Sequence, residues 1–174
     1  MLGEYRDIFA MNLEEIGETK LVQLKIELET NIPIDHTPYR IPIQKKQIVN
    51  DMVQELLAND IISRSDSEYA SPITLVKKND GSDRFCVDYP LLNKHMPKQS
   101  QCLIKKNVCK KPHDINSGYY QIPIENDSQK FTAFVTTEGI YEFKRIPFGL
   151  KNAPIVFQRL MAKIKDNSSS CVRS

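Results

Sequence analysis

Residues 73–89, ITLVKKNDGSDRFCVDY, are the stretch that decides the fold, because they predict two strands joined by a tight turn. The runs ITLVK and RFCVDY are rich in β-branched and aromatic residues, and Asn79-Asp80-Gly81 stands between them. Asp-Gly between two such runs is a strong hairpin signal, since both residues tolerate the backbone of a tight turn. The sequence therefore predicts a hairpin that carries the cations Lys77 and Arg84 near its end.

A second hairpin is predicted later in the chain, where residues 131–136 and 140–145 flank Thr137-Glu138-Gly139. A closing helix should follow, with Asn152 as its N-cap and Pro154 in its first turn, where the missing N–H is tolerated. The apolar stripe of that helix comprises Val156, Phe157, Leu160, Met161 and Ile164.

The segments outside the hairpins differ in how clearly they indicate structure. Residues 46–59 carry apolar side chains on one helical face, and residues 21–29 alternate like a strand. Residues 61–71 are predicted to be a polar turn region. Residues 90–112 have no sustained period and are rich in lysine, which fits either an exposed basic loop or a phosphate-contacting patch. Helix, hairpin, irregular insert, hairpin and helix together predict an α+β protein.

Composition limits the class of protein. The 174 residues are 40% hydrophobic and 26% charged, which is typical of a folded domain. The net charge of +2 does not by itself require a nucleic-acid partner. The four cysteines show no Cys-x-x-Cys spacing, so no zinc site is expected. No signal peptide or membrane-spanning stretch is visible, and we expect an intracellular protein, in the cytoplasm or nucleus, with no membrane partner.

Four segments carry a family resemblance when they are read together and in order: YASPITLVK (69–77), DGSDRFCVDYPLLNK (80–94), DINSGYYQI (114–122) and YEFKRIPFGLKNAPIVFQRLM (141–161). They resemble the reverse transcriptase of gypsy-type LTR retrotransposons and related retroviral Pol proteins, over roughly residues 40–164. The resemblance implies an α+β fold made of the fingers and a partial, truncated palm of an RNA-directed DNA polymerase. It divides the chain into an N-terminal lead-in (1–39), a fingers-like subdomain (40–97), an irregular basic linker (98–113), a partial palm (114–165) and a frayed polar tail (166–174).

The resemblance also implies a site and its ligands. Asp114 stands where the family has its first metal-binding aspartate, and the backbone carbonyl of Ile115 is its neighbour. Lys77 and Arg84 match residues that hold the incoming triphosphate, and Tyr119 matches the aromatic residue beneath the sugar. Phe148 and Gly149 match residues that line the nucleotide pocket. The implied cofactor is a pair of Mg²⁺ ions, and the implied partners are a template–primer, a dNTP and the remainder of a Pol polyprotein.

Each of these residues also has a purely structural interpretation. Asp114 would serve as the solvated start of a turn. Lys77 and Arg84 would be exposed hairpin charges, while Tyr119 and Phe148 would be core aromatic residues.

The sequence departs from the family pattern in several places. It contains no Asp-Asp dipeptide, whereas the family has a second carboxylate pair in a Tyr-x-Asp-Asp box. Residues 110–113, Lys-Lys-Pro-His, replace the apolar strand that should lead to Asp114, and proline and lysine are poor central-strand residues. Asp83 stands where an aromatic residue is common and is expected to offset the charge of Arg84. Pro90 replaces a usual arginine.

Three functions remain open from the sequence. The first is an RNA-directed DNA polymerase fragment that is inactive by itself. The second is a non-catalytic nucleic-acid-binding module that uses the first hairpin and the lysines of residues 98–111. The third is a host-adopted interaction domain, or a degenerate element product without a function.

Overall fold

The computed structural model describes residues 17–30, 33, 36–77, 81, 83–97 and 118–170, with side chains up to residue 164. The helices are α1 (Ile43–Ala58), α2 (Pro90–His95), α3 (Asn126–Gln129) and α4 (Ala153–Ser170). The strands are β1 (Ile62–Arg64), β2 (Ile73–Lys77), β3 (Asp83–Val87), β4 (Phe134–Val135) and β5 (Ile140–Phe143). Short 3₁₀ turns occur at Tyr119–Gln121 and Lys130–Thr132. The fold is α+β, as predicted.

Helix α1 agrees with the predicted helix of residues 46–59 but begins three residues earlier. Its core face buries Val49, Val53 and Leu56. The helix ends in a Schellman motif: Asp60 has φ +53°, and its N–H donates to the Leu57 carbonyl at 3.1 Å. The next residue, Ile61, donates to the Leu56 carbonyl at 3.0 Å. This left-handed position usually favours glycine, but aspartate also tolerates it.

The first hairpin is confirmed, since β2 and β3 pair antiparallel from Ile73↔Val87 to Lys77↔Asp83. Of the predicted turn tripeptide, the structure describes only Gly81, whose φ of +83° is the left-handed backbone expected there. The returning strand ends at Val87 rather than at residue 89. Pro90 begins the short helix α2, which lies in the stretch predicted to be irregular. Proline suits the first position of a helix, but six residues are too few to show a helical period.

A three-stranded sheet of order β1–β5–β4 joins the two halves of the sequence. Strand β1 lies in residues 61–71, which were predicted to be a polar turn region, and that prediction is wrong for Ile62–Arg64. It pairs antiparallel with β5, with Ile62 opposite Phe143 and Arg64 opposite Tyr141. Three residues followed by Ser65 and Asp66 carry too weak a local strand signal, and their pairing partner lies almost eighty residues away in the sequence.

The second hairpin is confirmed as β4 and β5, although residues 130–132 form a 3₁₀ turn instead of strand. Thr132, which is fully buried, fixes this turn to β5. Its hydroxyl donates to the Gln129 carbonyl at 2.7 Å and accepts the Phe143 N–H at 2.9 Å. A side chain therefore replaces the backbone pairing that a longer strand would provide.

Helix α4 follows the predicted apolar stripe, and Val156, Phe157 and Leu160 are buried. The predicted side-chain cap does not form, because the buried Asn152 Oδ1 has no hydrogen-bond partner among the described residues. The N–H groups of the first turn bond instead to the Asn152 backbone carbonyl. The helix continues to Ser170, into the segment expected to be a polar tail.

The lead-in packs against the second half of the chain. Residues 21–29 alternate between exposed and more buried positions, as predicted, with Leu24 and Ile26 in the core. Their only described pairing is an isolated parallel bridge between Leu24 and Ile124, so the predicted strand does not form a ladder. Ile26 donates instead to the Ser128 hydroxyl at 3.0 Å. Within the described part of the chain, no helix is long and apolar enough to cross a membrane.

Candidate functional site

Arg84 projects from β3 onto the turn that precedes α4. Its guanidinium carbon Cζ lies 5.9 Å from the centroid of the Phe148 ring, which is cation–π geometry. Phe148 in turn meets Tyr119 edge to face, with 5.5 Å between ring centroids. Three residues that are distant in the sequence therefore form one cluster, which we call the Arg84–Phe148–Tyr119 cluster.

The cluster rests on a second layer of buried aromatic rings. Tyr119 also packs against Phe157 of α4, with 5.3 Å between centroids. Tyr120 contacts Phe148 edge to face at 5.5 Å and stacks parallel to Phe143 of β5 at 6.4 Å. Tyr120 was not among the predicted site residues, and the only hint of it is its place beside Tyr119 in the sequence. Tyr119 and Phe148 are half-buried, so each also has the packing role that its aromatic character indicates.

Burial dominates the electrostatics beneath the cluster. Burial raises the pKa of the Tyr120 phenol well above its usual value, and the positive charge of Arg84 opposes this shift only in part. Burial also raises the pKa of the Cys86 thiol, again opposed by Arg84. The Tyr120 phenol and the Cys86 thiol are therefore both neutral near pH 7. Neither of them neutralises the positive charge of Arg84.

Gly149 gives the chain the sharp turn that presents Phe148. Its φ is +95°, and a Cβ at this position would lie 3.3 Å from the Val87 carbonyl oxygen and 3.5 Å from Tyr89 Cδ2. Only glycine takes up this backbone without strain so close to β3. The glycine of the Pro-Phe-Gly motif is thus explained by the close approach of the Gly149 backbone to the Val87 backbone.

Asn93 of α2 holds the same turn from the other side. Its Nδ2 donates to the Gly149 carbonyl at 2.7 Å, and its Oδ1 accepts the Lys151 N–H at 2.7 Å. The Lys151 ammonium donates to the Met96 carbonyl at 3.1 Å. Sequence reasoning missed Asn93, because nothing in residues 90–97 indicates a partner more than fifty positions away.

Lys77 lies outside the cluster. Strand alternation places Lys77 and its cross-strand partner Asp83 on one face of the hairpin, and Arg84 on the other. The Lys77 Nζ lies 3.4 Å from Asp83 Oδ2 and donates to the Gly81 carbonyl at 3.2 Å. Asp83 was expected to offset the charge of Arg84, but its described ion pairs are with Lys77 and with Lys45 of α1.

The metal-binding prediction falls on a part of the chain that is not described. Asp114 and Ile115 lie outside the described residues. Within the ranges that the structure covers, no three His, Cys, Asp or Glu side chains come together in a way that could hold a metal ion. The described residues therefore contain no cluster that fits Mg²⁺.

Comparison with known proteins identifies the family. Residues 36–172 match the family described as reverse transcriptase (RNA-dependent DNA polymerase). The chain is 35% identical to the retrovirus-related Pol polyprotein from transposon 412 of Drosophila melanogaster, covering 91% of this chain and 14% of that protein. It is 34% identical to the Pol polyprotein from transposon opus of the same organism, covering 94% of this chain and 18% of the relative. The chain thus spans less than a fifth of these relatives.

Solved structures show the same fold. Prototype foamy virus protease–reverse transcriptase superposes with a TM-score of 0.75 at 21% identity, covering 94% of this chain and 23% of that one. The foamy viral enzyme in complex with double-stranded DNA superposes with a TM-score of 0.70 at 25% identity, covering 87% of this chain and 28% of that one. Motif order, sequence identity and fold agree: the chain belongs to the reverse transcriptase family, as part of a Pol polyprotein of the LTR retrotransposon type.

Proposed function

We propose that residues 40–97 form the fingers and residues 114–165 the beginning of the palm of an RNA-directed DNA polymerase. We also propose that these two parts of the chain bind the incoming dNTP beside a template–primer. The observation that carries the proposal is the Arg84–Phe148–Tyr119 cluster. A guanidinium can pair with phosphate oxygens through two N–H groups, and aromatic rings offer flat surfaces to a sugar and base. A dNTP needs both kinds of contact within one site.

Several features give each residue of the cluster a proposed role. Arg84 is half-buried over Phe148, which limits its motion and reduces the entropy lost when a triphosphate binds. Phe148 and Phe157 hold the Tyr119 ring by aromatic contacts, and its proposed role is to lie beneath the nucleotide sugar. Gly149 allows the sharp turn, close against β3, that presents Phe148.

Chemistry at this site would require carboxylates from elsewhere. The chemistry that a bound pair of Mg²⁺ ions would supply is activation of a hydroxyl and neutralisation of leaving-group charge. Asp114 is the proposed ligand that these residues would contribute. One carboxylate cannot hold both ions, and the sequence contains no Asp-Asp pair. We therefore expect these 174 residues to bind substrates without extending a primer.

Nucleic-acid binding has independent support. Two foamy viral protease–reverse transcriptase structures have a fold similar to that of this chain. One is a complex with double-stranded DNA, and the other is a complex with an RNA/DNA hybrid. We propose the same class of partner for this chain, with action in the cytoplasm or nucleus. Binding that uses lysine and arginine contacts to phosphates must weaken steeply as salt is raised.

The central test is dTTP binding by calorimetry at low salt, with Arg84→Gln and Arg64→Gln as matched variants. Arg64 is an exposed arginine on β1 and controls for the loss of one positive charge. Arg84→Gln should weaken binding roughly tenfold or more, as expected for a charge-assisted hydrogen bond, and Arg64→Gln should change it little. Equal effects of the two variants, or no dTTP binding at all, would refute the nucleotide site.

A second pair of measurements addresses the remainder of the proposal. An RNA/DNA hybrid should bind with an affinity that falls steeply between low and physiological salt. In a primer-extension assay with Mg²⁺ and dNTPs, no templated product is expected. Templated product would show that the carboxylates present suffice for catalysis, and hybrid binding that ignores salt would exclude phosphate contacts.

A further inference from the structure

Asp83 is a buried carboxylate that the proposed function does not use. Its side chain is only 8% exposed, and it lies between the ammonium groups of Lys77 and Lys45. The Lys77 Nζ is 3.4 Å from Oδ2, and the Lys45 Nζ is 3.8 Å from Oδ1. At that distance Lys45 attracts Oδ1 without a hydrogen bond, and Oδ1 has no hydrogen-bond partner among the described residues.

The arrangement places an anion beside Lys77, the cation to which the family resemblance assigns the incoming triphosphate. A carboxylate oxygen and a phosphate oxygen are the same kind of acceptor for a lysine ammonium, which behaves as a point charge. The Lys77 Nζ also donates a hydrogen bond to the Gly81 carbonyl, at 3.2 Å. Lys77 thus has a carboxylate and a carbonyl where a triphosphate would offer its oxygens.

Lys45 keeps Asp83 paired with a cation when the Lys77–Asp83 ion pair breaks. It belongs to α1 and contacts Oδ1, whereas Lys77 contacts Oδ2, so Asp83 keeps one cation when Lys77 leaves. The Lys77 side chain is 63% exposed, and its long stem leaves it free to turn towards solvent. A ligand phosphate can therefore compete for Lys77 without leaving a buried charge wholly unpaired.

We propose that Asp83 acts as an internal competitor of the nucleotide triphosphate, occupying Lys77 and lowering the affinity of the site. The proposal rests on the proposed function and on the triphosphate contact that the family resemblance implies for Lys77. Asp83 reduces nucleotide affinity through Lys77 rather than through Arg84, which lies on the opposite face of the hairpin.

The test is a double-mutant cycle on dTTP binding, measured by calorimetry at low salt and without divalent metal. The proteins are the full chain, Asp83→Asn, Lys77→Gln and the double variant. Asp83→Asn keeps the size of the side chain and removes its charge. It should tighten binding roughly two- to fivefold, the range for an ion pair with one exposed partner. In the Lys77→Gln background the same change should have almost no effect.

The controls separate this mechanism from a general charge effect. Asp127→Asn on α3 removes one negative charge, as Asp83→Asn does, but at an exposed position beside Gln23. It should leave the dissociation constant of dTTP unchanged. Thermal melting of every variant verifies that it is folded. A gain from Asp83→Asn that persists in the Lys77→Gln background would overturn the proposal.

The other outcomes also decide the matter. Equal dTTP binding by the full chain and by Asp83→Asn would overturn the role of Asp83 while the proposed function stands. Absence of dTTP binding in both proteins would overturn both. Binding detected only in Asp83→Asn would support the role of Asp83 and would contradict the proposed function for the unaltered chain.

Discussion

The Arg84 guanidinium lies over the Phe148 ring, with 5.9 Å between Cζ and the ring centroid. This contact links β3 to the turn before α4, and so joins the first hairpin to the second half of the chain. Phe148 is also the ring that Tyr119 and Tyr120 meet edge to face. One residue thus connects the charged and the aromatic parts of the candidate site.

The Arg84–Phe148 contact should be measurable as a coupling energy. Phe148→Leu keeps most of the apolar volume but removes the ring, and Arg84→Gln removes the charge. In a double-mutant cycle of urea unfolding, the two changes should be non-additive by about 0.5–1 kcal/mol, the size of a partly exposed cation–π pair. Strict additivity would mean that the guanidinium does not interact with the ring.

Gly149→Ala should destabilise the fold, because φ is +95° and the new Cβ would lie 3.3 Å from the Val87 carbonyl oxygen. The expected loss is about 1–3 kcal/mol in the free energy of unfolding. Gly17→Ala is the control, since no atom lies within 4 Å of the added Cβ and no left-handed φ is needed. If both variants unfold at the same urea concentration, the turn is not held against β3.

Thr132→Val should destabilise the second hairpin, because the buried hydroxyl makes two hydrogen bonds, to the Gln129 carbonyl and from the Phe143 N–H. Valine has the same shape but cannot accept the buried Phe143 N–H, and the expected loss is about 1–3 kcal/mol. Thr132→Ser keeps the hydroxyl and should lose less. A valine variant that is as stable as the serine variant would exclude a structural role for the hydroxyl.

The buried tyrosines predict a loss of stability at alkaline pH. The pKa values of Tyr89 and Tyr120 are raised by burial above the unfolded value of about 10. The folded state then holds more protons than the unfolded state above this pH, so stability is fully present below about pH 10 and is lost as pH rises further. The fall should approach about 1.4 kcal/mol per pH unit for each tyrosine.

Tyr120→Phe separates this effect from general alkaline denaturation. The variant should keep its unfolding free energy at pH 8 within about 1 kcal/mol and show a shallower decline above pH 10. Urea midpoints between pH 8 and 11 provide the measurement. If the decline of the unfolding free energy with pH is the same in Tyr120→Phe, groups other than Tyr120 cause the alkaline loss of stability.

The isolated fingers-like segment, residues 40–97, should not fold cooperatively by itself. Its strand β1 is held by β5, and the Ser71 N–H and carbonyl bond to Ala133 and Val135 in the second half. Circular dichroism should show little cooperative unfolding in urea, whereas the full chain should show one transition. A sharp transition in the fragment would establish it as an independent domain.

Local patterns in the sequence were sufficient for much of this fold. The first hairpin, α1 and α4 were predicted because each contains its own signal, either a turn dipeptide between β-rich runs or an apolar helical stripe. The burial of Leu24 and Ile26 also followed from alternation. The family followed from the order of four motifs, independently of any contact.

The tertiary structure decided what no local signal encodes. Strand β1 exists because β5 offers it hydrogen bonds, and Asn93 matters because α2 brings it to the Gly149 turn. The sequence marked Lys77, Arg84 and Phe148 as members of one site. Only the pleat of the hairpin assigned Arg84 to Phe148 and Lys77 to Asp83, because neighbouring residues on a strand point to opposite faces. The sequence determines which chemical group each side chain carries. Which groups come into contact depends on packing between residues that are distant in the sequence.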